Sequence, residues 1–589
     1  MLLERCSALG FAEPSDCTAA PLACMGGCSG AGECVAGFCK CRPGHFGADC
    51  SLSLGRDGKP QLLAGRGYTP RSRGPRVYMY ELPPEFTTWR NEAHLDRPTT
   101  HHFIERLTAT GARVADGDDA DWYFIPLTIR GRKDDFPTLN ATISLIREVH
   151  PWWNKTMGHR HFIIALGDKG RAESDQHPLS YQPARKASAQ GQPMSYEQLY
   201  EANNQTLVTE NVTWVTHWGL YQDRDPFNFR ASHRNATDVV LPVFLSTFKL
   251  QGMGLLTSRN HPLFGKNAST ALRKRSGPTF FFAGRICGDR QRPSIVGGRA
   301  TCRDDSEEGL LYSGGTRQMV HYHHWNRKGF YVKHDDDKYG EHMLTAKYCF
   351  GAMGGGHGQR QIQAVLAGCV PVQISDHVLE AFEPFLDWNK FGVRVAEKDI
   401  PRLHTVLGSI SKKEYERKQQ RLRCAAQHMA FSTVTGALMG ESGRYDAFET
   451  LLEILRSKGE HPGVPPERLR SVDPRLDAFL DCRADDDEEA WEQEEQAQEK
   501  VEEVGRAVAT RRLARRSRSS NKAEVEGVTP GVGGSQGRRQ QLCSASPLDK
   551  GAQGVTLCST VYDIGQPLYG GLMCASSPTE LVRCPRPWA

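Results

Sequence analysis

The chain alternates blocks of apolar residues with stretches of helical spacing. "RVYMYELPPEF" (76–86) is an apolar run closed by Pro83 and Pro84, and "ADWYFIPL" (120–127), "RHFIIALGD" (160–168) and "DVVLPVF" (238–244) are further continuous runs. Unbroken runs of this length predict strands buried on both faces, since a half-exposed strand would alternate. Between them, residues 100–110 and 138–149 carry helical patterns. The pattern restarts after "RKRSG" (273–277). There "PTFFFAGRI" (278–286), "KYCFGAM" (347–353) and "CVPVQI" (369–374) predict strands, with helices near 359–367, 398–410, 412–429 and 442–457. Strands alternating with helices predict an α/β architecture of parallel sheets covered on both faces, here as two Rossmann-like lobes, 75–272 and 273–462.

The flanks differ. Residues 24–50, "CMGGCSGAGECVAGFCKCRPGHFGADC", place six cysteines too densely for a hydrophobic core, so disulfides must hold them. The spacing alone permits fifteen pairings. Its ending, C-x-C-x-x-G-x-x-G-x-x-C, resembles the EGF-like family. That resemblance implies Cys24–Cys34, Cys28–Cys39 and Cys41–Cys50, within a module spanning 1–52. A zinc module is the rival, with His45 its one local histidine. Gly-, Arg- and Ser-rich residues 53–74 predict a linker. From 463 to 589 the chain reads as a charged, low-complexity tail: "DDDEEAWEQEEQAQEKVEE" (485–503) is acidic, "RRLARRSRS" (511–519) is basic, and Cys543, Cys558, Cys574 and Cys584 follow.

Composition narrows the compartment more than the chemistry. A net charge of +5 over 589 residues gives no global case for nucleic acid, and none is expected as a partner. Eighteen cysteines, eight of them in the first fifty residues, imply oxidising conditions. Six N-x-[ST] sequons, at Asn140, Asn154, Asn204, Asn211, Asn235 and Asn267, agree. The N-terminus, "MLLERCSALG", has neither an apolar leader nor a cleavage site, so an anchor missing from this chain is expected.

The stretch "KYCFGAMGGGHGQRQIQAVLAGCVPVQISD…FEPFLDW" resembles the donor-binding signature of the exostosin family of glycosyltransferases, F-C-L-x-P-x-G followed by S-x-R-x-x-E/D-A-I-x-x-G-C-I-P-V. "RVYMYELP", "ADWYFIPL" and "PWWNKTMGHRHFIIALGD" are similar to further blocks of that family, in the same order, over about residues 74–460. The resemblance implies a GT-B fold and an inverting transferase in the Golgi lumen, held as a type II membrane protein. Its partners would be a nucleotide-sugar donor and a glycan or glycoprotein acceptor, with a further protein partner through the EGF-like module.

Sugar transfer needs the leaving nucleoside diphosphate stabilised and the acceptor hydroxyl deprotonated. Arg360 follows the Gly-rich "GGGHGQ", which includes Gly358, and begins a helix, so backbone N–H groups, the dipole and a guanidinium converge. Arg285, after the strand "TFFFAG", is the second anion-binding candidate. Gln363 stands where the family has a carboxylate, and its amide could still accept from a ribose hydroxyl. Gly368 and Pro371 shape the helix-to-strand turn. For the base, Asp168, Glu105 and His161 are the candidates, with Asp121 in the same blocks; Asp168 ends a strand, where the sites of α/β sheets collect. Trp152 and Trp153 could stack on a sugar. The aspartates at 116–121 and 335–337 read as solvated loops rather than Mg²⁺ ligands, and no metal or cofactor is expected. The competing function is a catalytically silent glycan-binding or scaffold protein bearing an EGF-like module.

Overall fold

The computed structural model describes residues 24–483 except 36–37, 66–67, 72–73, 84–85, 87–97, 130–134, 172–208, 225–230, 257–260, 266–274, 288–290, 298, 303–311 and 435; beyond 483 it describes a hairpin, 573–577 with 580–583. The tail's remaining features, including the charged runs, lie outside the described residues.

The N-terminal module is stapled as the EGF-like resemblance implied, by Cys24–Cys34, Cys28–Cys39 and Cys41–Cys50. Strands β1 (Gly32–Val35) and β2 (Phe38–Cys41) form its hairpin. The expected linker is structured instead. β3 (His45–Phe46), β4 (Leu52–Leu54) and β5 (Pro60–Leu62) make a second small sheet across the expected boundary at 52/53. Short polar strands of this kind leave no apolar run to read.

The first lobe is a six-stranded parallel sheet. Its strands are β6 (Val77–Met79), β7 (Arg113–Val114), β8 (Trp122–Phe124), β9 (His161–Ala165), β10 (Thr213–Thr216) and, after the two-residue β11 (Gly219–Leu220), β12 (Val239–Val240), ordered β12-β10-β9-β8-β6-β7. Helices α1 (Thr99–Ala109), α2 (Asp135–Val149), α3 (Pro151–Thr156) and α4 (Thr247–Gly252) accompany it. Every residue of β6, β8, β9 and β10 is buried, as unbroken apolar runs require when helices cover both faces.

The second lobe is a five-stranded parallel sheet: β13 (Phe280–Ala283), then past the hairpin β14 (Ser294–Val296) and β15 (Arg299–Thr301), β16 (Phe330–Lys333), β17 (Tyr348–Phe350), β18 (Val370–Gln373) and, past β19 (Val378–Leu379), β20 (Val393–Arg394). The order β16-β13-β17-β18-β20 reverses between β13 and β17, which opens a crevice at their C-terminal ends. Its helices are α5 (Thr316–His324), α6 (Tyr339–Thr345), α7 (Arg360–Leu366), α8 (Leu403–Ser409), α9 (Lys412–Met429) and α10 (Ala447–Glu460). The fold does not stop at 462: α11 (Pro466–Val472) and α12 (Pro474–Leu480) bury Leu469, Leu476 and Leu480 in the same core, and Cys424–Cys482 fastens α12's end to α9.

Two seams join the lobes. β11 pairs antiparallel with β19, and Phe382 N donates to Val240 O at 2.7 Å. On the other side α10 reaches back, with Trp122 Nε1 donating to Leu455 O (2.9 Å) and Arg106 paired with Asp446 (2.9 Å). The C-terminal strand ends of the two sheets meet across this junction, which forms the cleft between the lobes, where His357 N reaches Asp168 O.

Candidate active site

The second lobe's crevice gathers three guanidinium groups from separate stretches of sequence. Arg285 follows β13, Arg317 stands on the first turn of α5, and Arg360 opens α7. Arg360 donates from Nε and Nη2 to Ala283 O (3.2 and 3.0 Å) and lies over the Phe282 ring. That approach requires Gly284: a Cβ there would sit 1.9 Å from Arg360 Nη2, and its φ of +145° is one that side chains disfavour. Arg285 stacks on Tyr312 at 3.9 Å. Arg317 is 2% exposed and donates to Arg285 O (2.9 Å) and the Tyr312 hydroxyl (3.0 Å). Its pKa is pushed down to about 9, first by burial and next by the charge of Arg360. Its contacts are carbonyls, rings and a hydroxyl, and its Nε is buried without a partner. Positive charge is thus concentrated at the strand-order reversal, where an anion would relieve it.

The helix dipole adds little here. α7 has seven residues, and Arg360 points back onto Ala283 rather than out along the axis. The guanidinium cluster, more than the helix start, concentrates positive charge here. Gln363 is also placed differently from the expectation: it is 5% exposed, and its Oε1 accepts from the Tyr339 hydroxyl at 2.6 Å. Gly358 is buried in the loop that leads into α7.

That loop meets the first lobe at Asp168. His357 N donates to Asp168 O (2.7 Å), and Gly356, at φ +158°, comes so close that a Cβ would lie 2.1 Å from the same oxygen. Asp168 is half-buried three residues past β9's C-terminal end, on the cleft. Beside it, past the end of β10, the ring of buried His217 is 5.4 Å from that of His357. Its Nδ1 faces Leu241 O at 2.9 Å, which fixes the proton there and leaves Nε2 as the accepting nitrogen, 3.4 Å from Thr99 Oγ1.

Two base candidates do not join this group. His161 lies at the N-terminal end of β9, fully buried between Tyr80 and Tyr123, with Nε2 2.8 Å from the Tyr80 hydroxyl. Burial holds its pKa down to about 4. It is a core histidine. Glu105 pairs with His101 at 3.2 Å on the half-exposed face of α1, six residues past Thr99 and so about 9 Å along the helix from where α1 meets the cleft. Asp121 pairs with Arg76 before β8, and Trp152 and Trp153 pack around Tyr78 and His161, away from the strand C-termini. The acidic runs are partnered rather than simply solvated: Asp118 holds Lys155 and Trp152 Nε1, and Asp336 accepts from Tyr331 and His342.

Residues 71–410 match the family model described as the exostosin GT47 domain. A probable beta-1,4-xylosyltransferase of Arabidopsis thaliana is 27% identical over 408 residues, covering 66% of this chain and 82% of that protein. A probable glucuronosyltransferase of Oryza sativa subsp. japonica is 26% identical over 407 residues, covering 66% and 81%. A probable glucuronoxylan glucuronosyltransferase of Arabidopsis thaliana is 22% identical over 357 residues, covering 57% and 64%.

Proposed function

The chain belongs to the exostosin GT47 family and is an exostosin-type glycosyltransferase, and on that premise we propose that it transfers a sugar with inversion from a nucleotide-sugar donor to a glycan or glycoprotein acceptor. The observation that carries this reading is the meeting of Arg285, Arg317 and Arg360 at the C-terminal ends of β13 and β17. Three guanidinium groups match the charge that develops on a departing nucleoside diphosphate. The two lobes act as a GT-B pair, donor in the second and acceptor in the first.

In this scheme the acceptor hydroxyl oxygen attacks the anomeric carbon from the face opposite the diphosphate. The bond to the diphosphate oxygen breaks, its electron pair leaves with the nucleoside diphosphate, and Asp168 takes the hydroxyl proton. His217 is a second acceptor for that proton, because Leu241 O holds its proton on the other nitrogen. The activities for which the similar proteins are named make nucleotide-linked xylose and glucuronic acid the first donors to test. No helix among the described residues is long and apolar enough to cross a membrane. Six disulfides among the described residues, with exposed sequons at Asn140, Asn154 and Asn235, support a Golgi-lumenal site of action.

Calorimetry with uridine and guanosine diphosphates tests the anion site. Arg360→Ala should weaken binding of whichever nucleotide the wild type takes by about ten- to a hundred-fold, as loss of a charge-assisted hydrogen bond does. Unchanged affinity would overturn the assignment.

A further inference from the structure

A second concentration of positive charge lies away from the cleft. A cavity of 360 Å³ is lined by Asn389, Lys390, Ser411, Lys413, Glu414, Arg417, Lys418 and Arg421. Lys418 Nζ forms its floor, donating to Asn389 O (2.7 Å) and Gly392 O (2.9 Å) just before β20 begins. The cavity is therefore at the N-terminal edge of the second lobe's sheet, whereas the arginine crevice is at the C-terminal ends.

Part of α9 offsets its charges one turn apart: Lys412 with Glu416 and, within the cavity lining, Glu414 with Lys418. Lys413, Arg417 and Arg421 instead stack at i, i+4 and i+8 along the cavity wall. Like charges at that spacing repel and destabilise a helix. Lys390 joins them, 3.8 Å from Asp481, and a single lining carboxylate, Glu414, opposes five cations. Burial lowers the Lys418 pKa, against the opposing charge of Glu414, and Arg421 adds to the lowering. A merely solvated helix face does not need a concave stack of like charges.

We propose that this cavity is a second carbohydrate site, which holds an anionic polysaccharide through its sulfate or carboxylate groups while transfer proceeds in the cleft. Every lining residue is polar, which suits a hydrated oxyanion and offers nothing for a lipid surface to bury. Guanidinium groups on one wall match planar or tetrahedral oxyanions. Oxidising, sequon-bearing surroundings disfavour nucleic acid as the occupant. The choice of a glycan rests on the transferase reading; the cavity and its charge do not.

Binding of the full-length protein is measured against dextran sulfate, polygalacturonate, neutral dextran and vesicles containing phosphatidylserine. The expected result is saturable, salt-sensitive binding to one or both anionic polysaccharides, and the arm that binds identifies sulfate or carboxylate as the recognised group. Arg417→Ala with Arg421→Ala should weaken it by about tenfold or more, both side chains being exposed and outside the core. Nucleoside diphosphate affinity in the same variant should not change. Equal binding to neutral dextran, preference for the vesicles, an unaffected double variant, or no polysaccharide binding would each overturn the proposal. Polysaccharide binding by a protein that takes no nucleotide would sink the transferase reading and leave the cavity standing.

Discussion

Arg317 shows how much of a site depends on where a side chain is sent rather than on what surrounds it in sequence. Arg360 and Arg285 are legible because each follows a strand or a glycine-rich loop. Arg317 sits in "TRQMVHYHH", which carries no motif, and only folding brings it to Arg285 O and Tyr312. His217 had a weak signal, a polar residue just past the short "TWVT" stretch. His161 was legible as the first residue of its strand, at the end far from the strand C-termini, and there its Nε2 meets the Tyr80 hydroxyl. For Gln363, the contact with Tyr339 leads to a specific expectation. Gln363→Glu should change nucleotide affinity by less than about tenfold, or about 1.4 kcal/mol, because the oxygen is already committed. A larger gain by calorimetry would mean that the side chain turns to a ribose when nucleotide is bound.

Elements built on long apolar runs were readable, and short or mixed ones were not. β6, β8, β9, β13, β17 and β18 fall inside runs visible by eye. β16 ("FYVK") mixes polar with apolar residues, and β7 and β20 are two residues long. The module boundary was hidden by ion pairing rather than hydrophobicity. Arg113 of β7, 3% exposed, binds Asp49 of the EGF-like module at 2.9 Å and Glu81 at 2.8 Å, so the module is fastened to the first lobe through a buried charge. Arg113→Ala leaves Asp49 buried and unpaired, which should cost about 3–5 kcal/mol in chemical denaturation. A loss below about 1 kcal/mol, the worth of an exposed pair, would show that the contact is incidental. Thiol labelling of native protein should find Cys24, Cys28, Cys34, Cys39, Cys41 and Cys50 all protected.

Across the whole molecule, buried titratable groups set opposing limits on pH. Burial pushes His102, His161, His233, His321, His324 and His428 down to about 4 and His261 to about 3. The fold favours these rings neutral, so their contribution is present above about pH 6.5 and is lost as pH falls through 4. Burial raises Glu380 to about 8 and Asp446 to about 7, so the fold favours their protonated forms and loses that contribution as pH rises. Among the described residues these seven histidines outweigh the two carboxyls on the acid side. Thermal midpoints should therefore fall as pH drops from about 6.5 to 4; a midpoint unchanged between pH 7 and 4.5 would contradict this. The most direct test of the account as a whole is transfer itself. Labelled sugar from a panel of uridine- and guanosine-diphosphate sugars is offered with oligosaccharide acceptors, and the anomeric configuration of the product is read by NMR. The account predicts turnover with inversion, abolished or greatly slowed in Arg360→Ala and in Asp168→Asn; retention of configuration, or no transfer from any donor by a protein that is folded, would contradict it.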